Sequence, residues 1–104
     1  MDKIENIIKK LIKYIDKIEQ NNIKIQKAYL FGSQIHNSAK EYSDIDIALV
    51  SADFSGNKYY DREKIRKLRW DIDVLISPIT FIPEEFDASN LFVKEIIETG
   101  IRIK

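Results

Sequence analysis

The chain has 104 residues, seventeen basic and seventeen acidic side chains, one histidine and no cysteine. That length holds one small domain with one modest core, taken here as residues 1–104; disulfides, thiolate zinc sites and histidine-rich metal sites are excluded. A neutral balance lacks the electrostatic footprint of a dedicated nucleic-acid binder, and no apolar run approaches the ~20 residues needed to span a bilayer.

In chain order, residues 2–19 predict a helix. Ile4, Ile7, Ile8, Leu11, Ile12, Ile15 and Ile18 recur at helical spacing and should face a core. Lys9, Lys10, Lys13 and Lys17 lie on the other side, balanced by Glu5, Asp16 and Glu19. A basic amphipathic helix can lie on a membrane, but the balanced charges favour a solvated face. The N-terminus has no signal-peptide apolar core, so the expected location is the cytoplasm. Asn21-Asn22 ends the helix. Residues 23–31 read as a first strand, and Ser33 caps a short helix running to about residue 37. A polar loop follows over residues 37–43, then a second strand over 45–50. Residues 51–57 form a loop containing Gly56, and 58–68 a charged helix. Residues 70–76 predict a third strand. Pro78 and Pro83 mark a connection. A last helix spans 90–98, stopped by Gly100, with a short strand over 101–103. Helices alternating with strands indicate an α/β layer fold.

The chemistry concentrates between residues 32 and 46. Gly32-Ser33 follows an apolar run, and ten residues later comes Asp44-Ile45-Asp46. Strand residues i and i+2 point to one side, so Asp44 and Asp46 leave the sheet together. Two carboxylates that close repel unless a cation or a proton sits between them, and oxygen-only ligands favour magnesium or manganese. An isolated Asp-x-Asp is a common strand start. The Gly-Ser turn adds a second signal: its backbone N–H groups can face a phosphate, and glycine permits close approach and positive φ. A phosphate cradle beside a metal-binding carboxylate pair is what phosphoryl or nucleotidyl transfer requires.

Gly-Ser, ten residues, then Asp-x-Asp resembles the signature of the DNA polymerase β-like nucleotidyltransferases, and the short length resembles their minimal nucleotidyltransferase (MNT) members of antitoxin type. The resemblance covers roughly residues 23–76. It implies the nucleotidyltransferase fold, a small mixed β-sheet backed by helices. It also implies a third aspartate from a later strand: Asp73 matches best and Asp71 is the reserve candidate. By this resemblance Asp44, Asp46 and Asp73 are the catalytic residues and bind two Mg2+ ions, Asp73 also being able to accept a proton. Gly32 and Ser33 hold the phosphates of ATP. The expected partner is a HEPN-domain toxin, modified by addition of AMP in a toxin–antitoxin pair; a homo-oligomer stays open. The rivals are a catalytically weak antitoxin that neutralises its HEPN partner by binding alone, and a small-molecule (antibiotic) nucleotidyltransferase. Two positions depart from the pattern. Gln34 stands where many relatives carry arginine after Gly-Ser, which removes a fixed charge near the phosphates. Asn37 stands where many carry glycine, and asparagine tolerates left-handed backbone.

Of the remaining polar residues, His36 and Lys40 are expected in the loop, and Lys58, Arg62 and Arg66 on a solvated helix face laced with Asp61 and Glu63. One of Tyr59 and Tyr60 should pack in the core, and Trp70 should pack the start of the third strand. Phe81, Phe86 and Phe92 are either core or a partner-facing patch.

Overall fold

A computed structural model describes residues 2–35 and 43–104. His36, Asn37 and Lys40 lie outside the described residues. Helix α1 spans Lys3–Gln20, strand β1 Lys27–Phe31 and strand β2 Ile45–Val50. Helix α2 spans Lys58–Arg66, strand β3 Ile76–Phe81, helix α3 Leu91–Thr99 and strand β4 Ile101–Arg102. The sheet order is β3-β2-β1-β4; β1 runs antiparallel to β2 and β4, and β2 runs parallel to β3. This is the mixed α/β sheet expected, with helices on both faces. Among the described residues no helix is long and apolar enough to cross a membrane.

Asp2 caps α1 by accepting from the Ile4 N–H, and Asn22 takes the left-handed turn beyond it at φ 67°. The buried stripe of α1 is Ile7, Leu11, Tyr14, Ile15 and Ile18. Tyr14 was not in the expected stripe, and Ile12 is exposed. A tyrosine can be buried once its hydroxyl finds a partner; Tyr14 donates to the Ile65 carbonyl of α2 at 2.9 Å. That burial pushes the phenol well above its usual pKa.

Alternation sorts the sheet's side chains. Ala28, Leu30, Ile45, Ile47, Leu49 and Ile76 pack with α1 and with Ile65 of α2. Tyr29, Phe31, Ala48, Val50 and Phe81 face the other way, onto Phe86 and onto Val93 and Ile96 of α3. Phe81 and Phe86 are therefore core, their rings 5.2 Å apart. Tyr59 and Tyr60 are both exposed, contrary to expectation.

The third strand is displaced. Residues 70–75 are not a strand; β3 starts at Ile76 and contains Pro78. The amides of Ile72 and Asp73 both donate to the Arg69 carbonyl, and the Asp73 carboxylate accepts from the Leu75 N–H, which fixes a turn. Trp70, expected to pack the strand start, is consequently 69% exposed. Pro78 is tolerated because β3 is an edge strand. Three basic side chains cover that edge. Arg69, Arg62 and Lys58 donate to the carbonyls of Ile76, Pro78 and Thr80 at 2.7, 3.1 and 2.6 Å. Lys58 and Arg62 are thus tied to the edge rather than free on a solvated face. The carboxylate of Asp61, also read as surface, is buried and accepts from Ser55 N–H, Ser55 Oγ and Gly56 N–H.

Candidate functional site

The site forms where β1 ends and β2 begins. Phe31 pairs with Asp46 in the β1–β2 register. Gly32 then turns at φ +84° into a single 3-10 turn, Gly32–Gln34. The expected helix to residue 37 is described only as that turn, with the Ile35 N–H donating to the Gly32 carbonyl. Glycine is required here twice over. The φ lies in the left-handed region, and a Cβ on Gly32 would stand 2.3 Å from Asp46 Oδ2. The turn therefore rests directly on the Asp46 carboxylate.

Gln34 explains itself in this setting. Its side chain is buried, and its amide nitrogen donates to the carbonyls of Ser43 and Asp44 at 3.1 and 3.4 Å. It staples the Gly-Ser turn to the backbone that carries Asp44. Among the described residues its Oε1 finds no hydrogen-bond partner. Gln34 thus supplies a positional tie between the turn and the residues that lead into β2.

Asp44 is exposed and Asp46 half-buried. Burial, and then the neighbouring Asp44 charge, hold the Asp46 carboxyl above its usual 3.8. Asp46 shares the sheet face of Ala48 and Val50, the face toward α3.

Asp73 is not brought to this pair. It accepts from the Lys10 ammonium of α1 at 2.8 Å and lies on the α1 side of the sheet. It lines a cavity of about 350 Å³ there with Lys3, Asn6, Lys10, Gln34 and Ser43. Burial raises its carboxyl, but the Lys10 bond and the Leu75 amide outweigh that and the net shift is downward. Asp71 is exposed and bonded to Lys17, which lowers its pKa. Lys10 and Lys17, read as a solvated face, hold the 71–73 turn onto α1. The residue beside Asp46 on β3 is Ser77. Among the described residues no group of three His, Cys, Asp or Glu is placed to hold a metal ion. Sequence reasoning missed Ser77 because it set the strand six residues too early. The signal available was the Ile76–Phe81 run itself, discounted for its proline.

The site's oxygen donors nevertheless suit a hard divalent cation. Asp44 and Asp46 offer four carboxylate oxygens, and the Asp46 carboxyl is raised by burial and then by the Asp44 charge.

The model of the family described as Polymerase beta, Nucleotidyltransferase matches residues 5–104. No curated protein is similar enough in sequence to count as a relative. Two solved structures share the fold. One, a toxin–antitoxin with AMP-PNP, is 26% identical with TM-score 0.63, over 93% of this chain and 72% of that one. The other, a mutant of the toxin–antitoxin MntA-HpeT, is 24% identical with TM-score 0.62, over 88% of this chain and 70% of that one.

Proposed function

Because the chain belongs to the polymerase beta nucleotidyltransferase family, we propose that it is the antitoxin of a toxin–antitoxin pair and transfers AMP from ATP to its toxin, a HEPN-domain protein. One observation carries the reading: the Gly32 turn pressed against the Asp44–Asp46 pair, in which burial and then the Asp44 charge raise the Asp46 carboxyl. The toxin–antitoxin described with AMP-PNP supports the choice of an adenine nucleotide and of a toxin as partner.

In this reading the backbone N–H groups at Gly32 and Ser33 hold the phosphates, since the first N–H groups of a helical turn lack intrahelical partners. The acceptor hydroxyl oxygen bonds to the α-phosphorus. The bond from that phosphorus to the bridging oxygen breaks, pyrophosphate leaves, and the hydroxyl proton passes to water. Asp44 and Asp46 would hold magnesium, which when bound neutralises phosphate charge. Gln34 orients the backbone of Asp44, and Gly32 sets the height of the phosphates over Asp46. The chain's contribution is positioning and electrostatics, which is what phosphoryl chemistry asks of a protein. The expected role of Asp73, completing the shell of the catalytic ion of the two held by Asp44 and Asp46, would require Asp73 to leave Lys10. The reading therefore rests on Asp44 and Asp46.

Ser77 beside Asp46 favours one alternative: neutralisation of the toxin by binding alone. Co-expression with the toxin separates the two. Transfer predicts a toxin heavier by one or more AMP groups, and loss of both mass gain and growth rescue in Asp46→Asn. Full rescue by Asp46→Asn with an unmodified toxin would establish occlusion instead.

A further inference from the structure

On the α3 side of the sheet, the face that carries Asp46, a cavity of about 340 Å³ opens directly off the Gly-Ser turn. That volume falls within the range of small-molecule sites. Gly32 and Ser33 close one end. Phe31, Phe92 and Ile96 supply apolar lining, and Glu95 and Thr99 supply the polar part. Phe92 is 44% exposed, and its ring is held edge-on by Phe31, with 5.7 Å between centroids. An exposed ring with a fixed edge contact still offers surface for stacking.

We infer that this cavity takes the nucleoside half of the triphosphate, with the base stacked on Phe92 and its exocyclic amino group donating to Glu95; the inference rests on the nucleotidyltransferase reading above. Three observations point to this occupant. The cavity is continuous with the turn assigned to the phosphates, so a ligand anchored there by its phosphates reaches it without a linker. Its lining joins aromatic and aliphatic surface, as a base requires, to a carboxylate, which accepts from amino groups and repels further phosphate. It also lies on the face of Asp46, so base and phosphates meet the protein on one side of the sheet. Phe92, left open by the sequence between core and partner patch, becomes a ligand contact. Thr99 is tied to its own helix, its hydroxyl donating to the Glu95 carbonyl. That leaves Glu95 as the selecting group.

Calorimetry on the full chain in magnesium buffer tests this with three probes: ATP, purine riboside triphosphate, which lacks the amino group, and inorganic tripolyphosphate. Phe92→Ala should weaken ATP about tenfold, as loss of one base–aromatic stack does, and leave tripolyphosphate within about twofold. Phe92→Leu, which keeps apolar packing on Phe31, should weaken ATP similarly and guards against a folding defect. Wild type should prefer ATP to purine riboside triphosphate about tenfold, and Glu95→Ala should erase that preference. If wild type binds tripolyphosphate as tightly as ATP, the cavity assignment is overturned while the phosphate cradle stands. Failure of wild type to bind any of the three would overturn the nucleotidyltransferase reading, and the cavity assignment with it.

Discussion

The chain contains the tripeptide Asp-Ile-Asp twice, at 44–46 and at 71–73, and the two copies have opposite electrostatics. In the first, burial and mutual repulsion raise the Asp46 carboxyl. In the second, Lys10 and Lys17 of α1 neutralise both carboxylates and lower them. The local sequence is the same; the difference lies in what the fold places opposite. The first copy enters β2, where its neighbours are Gly32 and Ser77. The second precedes β3, within reach of a basic helix face. Among the described residues no basic side chain forms an ion pair with the first copy. A pair already matched by lysines serves as a fastener.

The largest test of that contrast is catalytic. Asp46→Asn should lower AMP transfer by more than about a hundredfold, the scale set by loss of a preorganised electrostatic group. Asp73→Asn should stay within about threefold. Equal losses would mean that the second triplet swings into the site and that the Lys10 contact is transient.

Next comes the glycine that rests on the first triplet. Gly32→Ala forces a left-handed alanine and a methyl into Asp46, and should cost about 1–3 kcal/mol in urea unfolding. Combining it with Asp46→Ala should recover part of that loss, because the clash partner is gone. Simple additivity would show that φ alone accounts for the cost.

Manganese offers a third comparison. At a concentration about a hundred times its Kd it should stabilise wild type by about 2.7 kcal/mol. Asp73→Asn should keep that shift and Asp46→Asn should lose it; an unchanged shift in Asp46→Asn would remove the first triplet from metal binding.

The fasteners give smaller effects. Lys10→Met should cost about 1 kcal/mol, since the Lys10–Asp73 pair is partly solvent-screened. Lys17→Met, facing a fully exposed Asp71, should leave the melting midpoint unchanged within error. The pH dependence should carry opposite signs. With Asp46 raised above 3.8, its ionisation costs stability as pH climbs from 3.8 through the folded value. Asp73 is lowered, so its contribution is complete above 3.8 and disappears as pH falls below. Urea midpoints measured across the acid range should therefore flatten on the upper side in Asp46→Asn and on the lower side in Asp73→Asn.

The Gly-Ser turn, β2 and α1 were legible because their signals are local: a glycine that must turn, an apolar alternation, an isoleucine stripe. The start of β3 was not. Residues 70–76 alternate as a strand should, and Pro78 reads as a breaker. Only the sheet order reveals that Pro78 sits on an edge, where a missing N–H is harmless. The roles of Lys10, Lys58 and Arg62 were equally hidden. A long cationic side chain looks the same whether it points to water or to a distant oxygen, and Gln34's staple has no periodic trace; Tyr14 has one, at helical spacing from Ile7, Leu11 and Ile18, but the partner its hydroxyl needs comes only with the fold.

Strand β4 lies beside β1, pairing Tyr29 with Arg102 and Leu30 with Ile101. The Ala28 carbonyl accepts from the amides of Ile103 and Lys104, the Ala28 amide donates to the Lys104 carbonyl, and Lys104 also reaches Glu19. In kinetic terms this is a closure across more than seventy residues of chain. Such contacts form late, after the entropy of a long loop has been overcome. Until residues 101–104 arrive, one edge of the strand that leads into Gly32 stays unpaired. The strand that leads into Gly32 is therefore paired on both edges only once this distant closure has formed.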